Sequence, residues 1–236
     1  VTAAVAVAIG LAGWLWPRLQ PGPVAALPAA ASAAPAASAA LPMATALPAA
    51  WPDERALSQA LLAAWGVAEP GAGGCEAART AGLACAEARA DAALLQRLDR
   101  PVGLDVGEGR WLLLQGLSAT RARVQGSGGQ ALVDRNQLLS AWTGRMLTLW
   151  RPPAGWQPGA ELATGDAADW ALERLVALQG EAGGRLARQS RDEALRQRVF
   201  AFQVAQGLPL DGVAGPLTLM LLNRASGVDE PRLQEP

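Results

Sequence analysis

Asp105 and Glu108 stand three positions apart in DVGEGR, and a carboxylate pair is the one constellation in this sequence that could hydrolyse a bond unaided. Two such groups flanking a glycosidic bond act as acid and as base or nucleophile. The competing reading of the same hexapeptide is a solvated turn between strands. Other hydrolytic arrangements are closed, because the chain has no histidine and all 20 of its basic residues are arginine. Zinc peptidase sites recruit histidine, Ser/His and Cys/His pairs need imidazole as base, and Ser-Lys dyads need an amine. No catalytic residue, metal ligand or cofactor is therefore assigned.

Cys75 and Cys85 are the two cysteines. They could form one disulfide in an oxidising compartment or sit as small buried thiols, and they are too few for a zinc site. A net charge of −1 lacks the positive balance of a nucleic-acid binder. Gln203, Asp211 and Thr218, close together near the C-terminus, can offer hydrogen bonds to a ligand or to their own turns.

These groups need elements to position them. The first 16 residues, VTAAVAVAIGLAGWLW, form an uncharged apolar run ending in tryptophans, expected to be the trailing end of a transmembrane helix over 1–20. The chain opens without methionine, so the numbering is expected to start inside a longer protein. Residues 21–52 reduce to Ala, Pro, Ser and Leu with little else, and their prolines forbid a continuous helix; they are expected to be a linker.

Order is expected from Asp53. DERALSQALLAAWG carries helical i, i+3, i+4 apolar spacing, and CEAARTAG and DAALLQRL predict two more short helices. PVGLDV, RWLLLQGL, ARVQG and QALVD then predict strands, Asp134 caps a short helix, and MLTLW makes a last strand. Helices before a small antiparallel sheet predict an α+β domain over 53–153. A connection over 154–168 leads to three helices over 169–227, with Trp170, Leu172, Leu175, Val176 and Leu178 apolar in the first and Leu195, Val199, Phe202 and Val204 in the second. Residues 228–236 are expected to be a tail.

The run VFAFQVAQGLPLDGVAGPLTLMLL resembles the three-helix peptidoglycan-binding domain of wall hydrolases and wall-anchored proteins. Val199, Phe202, Gln203, Gly207, Leu208, Asp211, Gly212, Gly215 and Thr218 fill every place of its signature. The resemblance implies a peptidoglycan site at Gln203, Asp211, Thr218, Phe202, Leu208, Gly212 and Gly215. Val199, Phe202 and Leu208 also read as core, Gly207 as a helix end, Asp211-Gly212 as a turn, and Gly215-Pro216 as a helix start.

The stretch from AARTAG to LTLWRP resembles the latter part of the papain-like peptidases that cut double-glycine leader peptides, the C39 type. Arg110 stands where that family has its catalytic histidine, Cys75 lies in GGCEAA rather than in the family's nucleophile motif, and no aspartate stands near Gln125-Gly126. The resemblance implies a kept fold with lost chemistry.

The order of parts resembles the periplasmic half of the general secretion pathway protein A family. That resemblance implies a single-pass inner-membrane protein with an upstream cytoplasmic ATPase and residues 21–236 in the periplasm, an oxidising compartment in which the Cys75–Cys85 bridge is the expected one of the two cysteine readings. It also implies peptidoglycan, a secretion-pathway protein and further copies of the chain as partners, and a non-enzymatic part in placing the type II secretin in the wall. The alternatives are a carboxylate-dependent wall hydrolase or hydrolase accessory, and a pseudo-peptidase that holds peptide in a groove lined by Arg110 and Trp111.

Overall fold

The computed structural model describes residues 41–67, 74–159, 164–180 and 190–236. All fall within one compact unit. The membrane-span end expected over 1–20, and the linker as far as residue 40, lie outside the described residues. Among the described residues no helix is long and apolar enough to cross a membrane.

The fold is mixed α/β around one antiparallel sheet. Helices α1 (Glu54–Ala64) and α2 (Gly74–Thr80) precede β1 (Ala84–Arg89), and α3 (Ala92–Leu98) separates it from β2 (Val102–Asp105). Strands β3 (Trp111–Leu117), β4 (Arg121–Gly126) and β5 (Gly129–Asp134) form a meander, followed by α4 (Arg135–Ala141) and β6 (Arg145–Trp150). The sheet order is β1-β6-β2-β3-β4-β5. Asp53, Asp91 and Asp134 each start a helix by accepting a backbone N–H three residues on, at 2.9, 2.7 and 3.0 Å.

The apolar runs of β2 and β3 are buried on both faces, which is why they do not alternate. Helix α1 packs on β2, β3 and β6 through Leu57, Leu61 and Leu62. At Gly103 the approach is so close that a Cβ would stand 2.3 Å from Leu57 Cδ2, so β2 needs glycine there.

The C-terminal helices are α5 (Asp166–Gln179), α6 (Arg191–Gln206) and α7 (Pro216–Ala225). The hydrophobic core continues from α1 through the sheet to Leu219–Leu222 of α7. In α5 the buried stripe runs through Ala167, Ala168, Ala171 and Leu175, while Leu178 is exposed. The small alanines let α6 and α7 come close, which a pattern built on large side chains misses. Val204, expected on the inner face of α6, is 55% exposed, whereas Leu195, Val199 and Phe202 are buried.

Three further expectations are corrected. ACAEAR, given no element in the sequence reading, is the edge strand β1, paired with β6 from Ala84↔Trp150 to Arg89↔Arg145. Its alanines favour helix intrinsically, and pairing with β6 overrides that preference.

The linker does not extend to Pro52. Residues 41–52 lie as a strap on the sheet: Ala44 N–H donates to Leu132 O at 2.7 Å, and Trp51 exchanges N–H···O bonds of 2.9 Å with Trp111. Ser127 Oγ donates to Ala49 O and Ala50 O. Prolines forbid a helix here but leave an extended backbone whose own polar groups can pair with a sheet. A Cβ on Gly126 would stand 2.1 Å from Ala49 O, so the strap needs glycine beneath it.

Residues 228–236 are likewise no free tail. Gln234 N–H donates to Gln115 O at 2.8 Å, and Glu230 is buried. Within the expected connection over 154–168, Trp156 stands edge-on to Trp150 with centroids 4.9 Å apart.

Candidate ligand cleft

Helix α6 ends at Gly207, whose left-handed φ of 59° turns the chain and lets Leu208 N–H reach back to Gln203 O at 3.0 Å. The loop that follows is organised by one buried amide. Gln203 is 2% exposed. Its Nε2 donates to Asp211 Oδ1 at 2.7 Å, Val213 O at 3.0 Å and Thr218 Oγ1 at 3.2 Å. Its Oε1 accepts from Gly212 N–H at 2.9 Å. Asp211 Oδ1 also takes the Val213 N–H at 2.9 Å, closing a tight turn in which Gly212 has φ +68°. Gly215 and Pro216 then open α7.

The structure therefore brings Gln203, Asp211, Thr218 and Gly212 into one hydrogen-bonded knot. Gln203 and Thr218, expected to display polar groups, are buried and spend them on the loop itself. Phe202 and Leu208 lie in the core beneath. Asp211 is exposed, and its Oδ2 makes no hydrogen bond among the described residues. These side chains shape the loop more than they present it.

What the loop presents is one side of a cleft of about 230 Å³. Leu208, Asp211, Val213 and Gly215 line it from the loop, and Ala86, Glu87 and Ala88 line it from β1. The sequence reading missed the β1 side, since nothing local in ACAEAR announces that it lies opposite a turn more than a hundred residues on.

Glu87 is ion-paired to Arg145. Arg145 also reaches Asp105 at 3.7 Å and Glu54 at 3.8 Å, and its guanidinium lies 5.0 Å over the Trp111 ring. The hydrogen bond to Glu87, followed by the surrounding carboxylates, holds its pKa above the ordinary arginine value.

The carboxylate pair does not converge. Asp105 is buried, accepting Gly107 N–H at 2.8 Å and facing Arg145, whereas the Glu108 side chain is 85% exposed and meets Arg110 at 3.5 Å. Nor do Arg110 and Trp111 line a common groove: Trp111 is 1% exposed, beneath Arg145 and bonded through its backbone to the strap. Cys75 and Cys85 are joined in a disulfide with Cα atoms 5.5 Å apart, tying α2 to β1. Among the described residues no group of three or more His, Cys, Asp or Glu side chains could hold a metal ion.

No family model matches the chain. General secretion pathway protein A of Aeromonas hydrophila is 32% identical over 167 residues, 68% of this chain and 30% of that protein, so the chain spans less than a third of the relative's length. Among solved structures, a periplasmic domain of the EpsAB fusion protein of the Vibrio vulnificus type II secretion system is 26% identical, covering 64% of this chain and 68% of its own with a TM-score of 0.38. The N-terminal peptidase C39 like domain of the toxin secretion ATP-binding protein from Vibrio parahaemolyticus is 24% identical over 33% of this chain and 66% of its own, with a TM-score of 0.29.

Proposed function

Because this chain is a homologue of general secretion pathway protein A, we propose that it is a non-enzymatic, periplasmic, peptidoglycan-binding region of a type II secretion protein. One observation carries the reading: the complete signature from Val199 to Thr218 folds into a loop knotted on Gln203 that opens a cleft to solvent. The module over 169–227 would hold the chain to the wall. Residues 53–153 would be a peptidase-like fold kept as scaffold, and residues 1–20 would lead to the inner membrane. Binding the wall in this way would help to place the type II secretin, together with a secretion-pathway partner and other copies of the chain.

The separation of Asp105 from Glu108, one buried against arginine and one in solvent, speaks against the hydrolase alternative. The burial of Trp111 speaks against the peptide-holding one. The test is co-sedimentation of the full chain with purified, protein-free peptidoglycan. Recovery in the pellet is expected, and recovery in the supernatant at all wall concentrations would contradict the reading.

A further inference from the structure

We propose that the cleft takes the peptide part of the wall and not its glycan, and that the free edge of β1 is one of its two sides. The proposal rests on the reading of this cleft as the wall-binding site.

The first ground is the lining. Glycan sites commonly stack a sugar's apolar face on an aromatic ring, yet none of this chain's nine tryptophans or two phenylalanines lines the cleft. Its surface comes from small and aliphatic residues, Ala86, Ala88, Leu208 and Val213, with Glu87 and Asp211 as its only charged members. A volume of about 230 Å³ lies below the roughly 300–1,000 Å³ of ordinary small-molecule sites. Alanine-sized side chains fit such a space.

The second ground is backbone. Ala90 N–H donates to Gly144 O at 2.9 Å, which makes Ala90 and Gly144 a hydrogen-bonded pair in register with the β1–β6 ladder. Bonded and non-bonded pairs alternate along antiparallel strands, so Ala84, Ala86 and Ala88 turn their backbone to β6. Cys85, Glu87 and Arg89 turn theirs outward. β1 is the last strand on its side of the sheet, and among the described residues no backbone group pairs with Glu87 on its outer side. An unpaired strand edge along a cleft accepts an extended chain, whose amides supply the complementary hydrogen bonds.

The third ground is charge. Glu87 is neutralised by Arg145, while Asp211 keeps its Oδ2 free of hydrogen bonds among the described residues, and no basic residue lines the cleft. The lining therefore suits an amino group at Asp211. A wall stem peptide is short, rich in alanine and supplied with such an amine on its diamino residue, and its carboxylates would lie outside the cleft in solvent.

The test compares retention of the full chain on intact sacculi and on glycan strands stripped of peptide by an amidase, with the released stem peptides added as soluble competitor. Retention on sacculi, loss on stripped glycan and competition by free peptide are expected. Acetylating the diamino residue's amine should weaken competition roughly tenfold, and acetylating the alanine amine that the amidase sets free should not. Ala88→Arg, which fills the cleft from β1 toward the loop, should lower retention on sacculi by about tenfold, with a melt of the variant recorded alongside. If that variant misfolds, peptide competition still decides. Equal retention on stripped glycan with no competition by peptide would overturn this proposal and leave wall binding standing, whereas no retention on intact sacculi would overturn wall binding itself.

Discussion

The guanidinium of Arg100 and the carboxylate of Glu230 meet at 2.8 Å with side chains 1% and 0% exposed, joining the start of β2 to the C-terminal segment 130 residues away. Arg100 also donates to Leu149 O in β6 and Met220 O in α7, and Glu230 accepts from Arg151 N–H and Asn223 Nδ2. Burial lowers the Arg100 pKa, and Glu230 opposes that shift. This junction fastens sheet, helix and C-terminus together.

Glu230→Ala leaves a buried guanidinium unpaired and is expected to destabilise the fold by about 3–5 kcal/mol. The double variant Arg100→Met, Glu230→Met removes both charges and should recover part of that loss, the rest remaining with the polar groups of Leu149, Met220, Arg151 and Asn223 that lose a partner. Urea titrations of the three proteins check this, and a double variant no better than the single one would contradict it.

Reduction of Cys75–Cys85 should cost about 2–3 kcal/mol, the loop-closure contribution for so short a span. In a protein of this size that corresponds to a fall in melting temperature of roughly 5–10 °C. Thermal melts with and without reductant measure it. An unchanged melt would show that the bridge adds no stability.

Gly126→Ala puts a methyl group into Ala49 O and should lift the strap at a cost of about 1–3 kcal/mol. Limited proteolysis should then cut within residues 41–52 while the remainder stays resistant. Protection equal to wild type would mean that the strap holds by other contacts.

Gln203→Leu keeps the bulk of the side chain but leaves the Gly212 N–H and the Asp211 turn without their partner, a loss of about 1–3 kcal/mol. Hydrogen exchange at Gly212 and Val213 should rise with little change in the sheet. Unaltered exchange there would contradict the role given to the amide.

Most elements were legible because their signals are local. Aspartate caps, the apolar runs of β2 and β3, Gly207 and Gly215-Pro216 each act within a few residues of themselves. What the sequence hid depends on distant partners. ACAEAR becomes a strand only because β6 lies beside it, and the strap shows no side-chain periodicity because it is held through backbone groups. The knot on Gln203 could be named residue by residue from the signature, but its inward direction could not, since a glutamine and a threonine read alike whether they face a ligand or their own loop. The β1 side of the cleft had no local sign at all.

The central claim is that the loop from Leu208 to Val213 contacts the wall, and the most direct measurement is a sedimentation isotherm on purified peptidoglycan for the full chain and for Val213→Arg. Val213 is 42% exposed and lines the cleft, so the substitution places charge in the site without disturbing the core. The account predicts saturable binding by the wild type and roughly tenfold weaker binding by the variant at an equal melting temperature. Identical isotherms would place wall binding elsewhere on the chain and contradict the account.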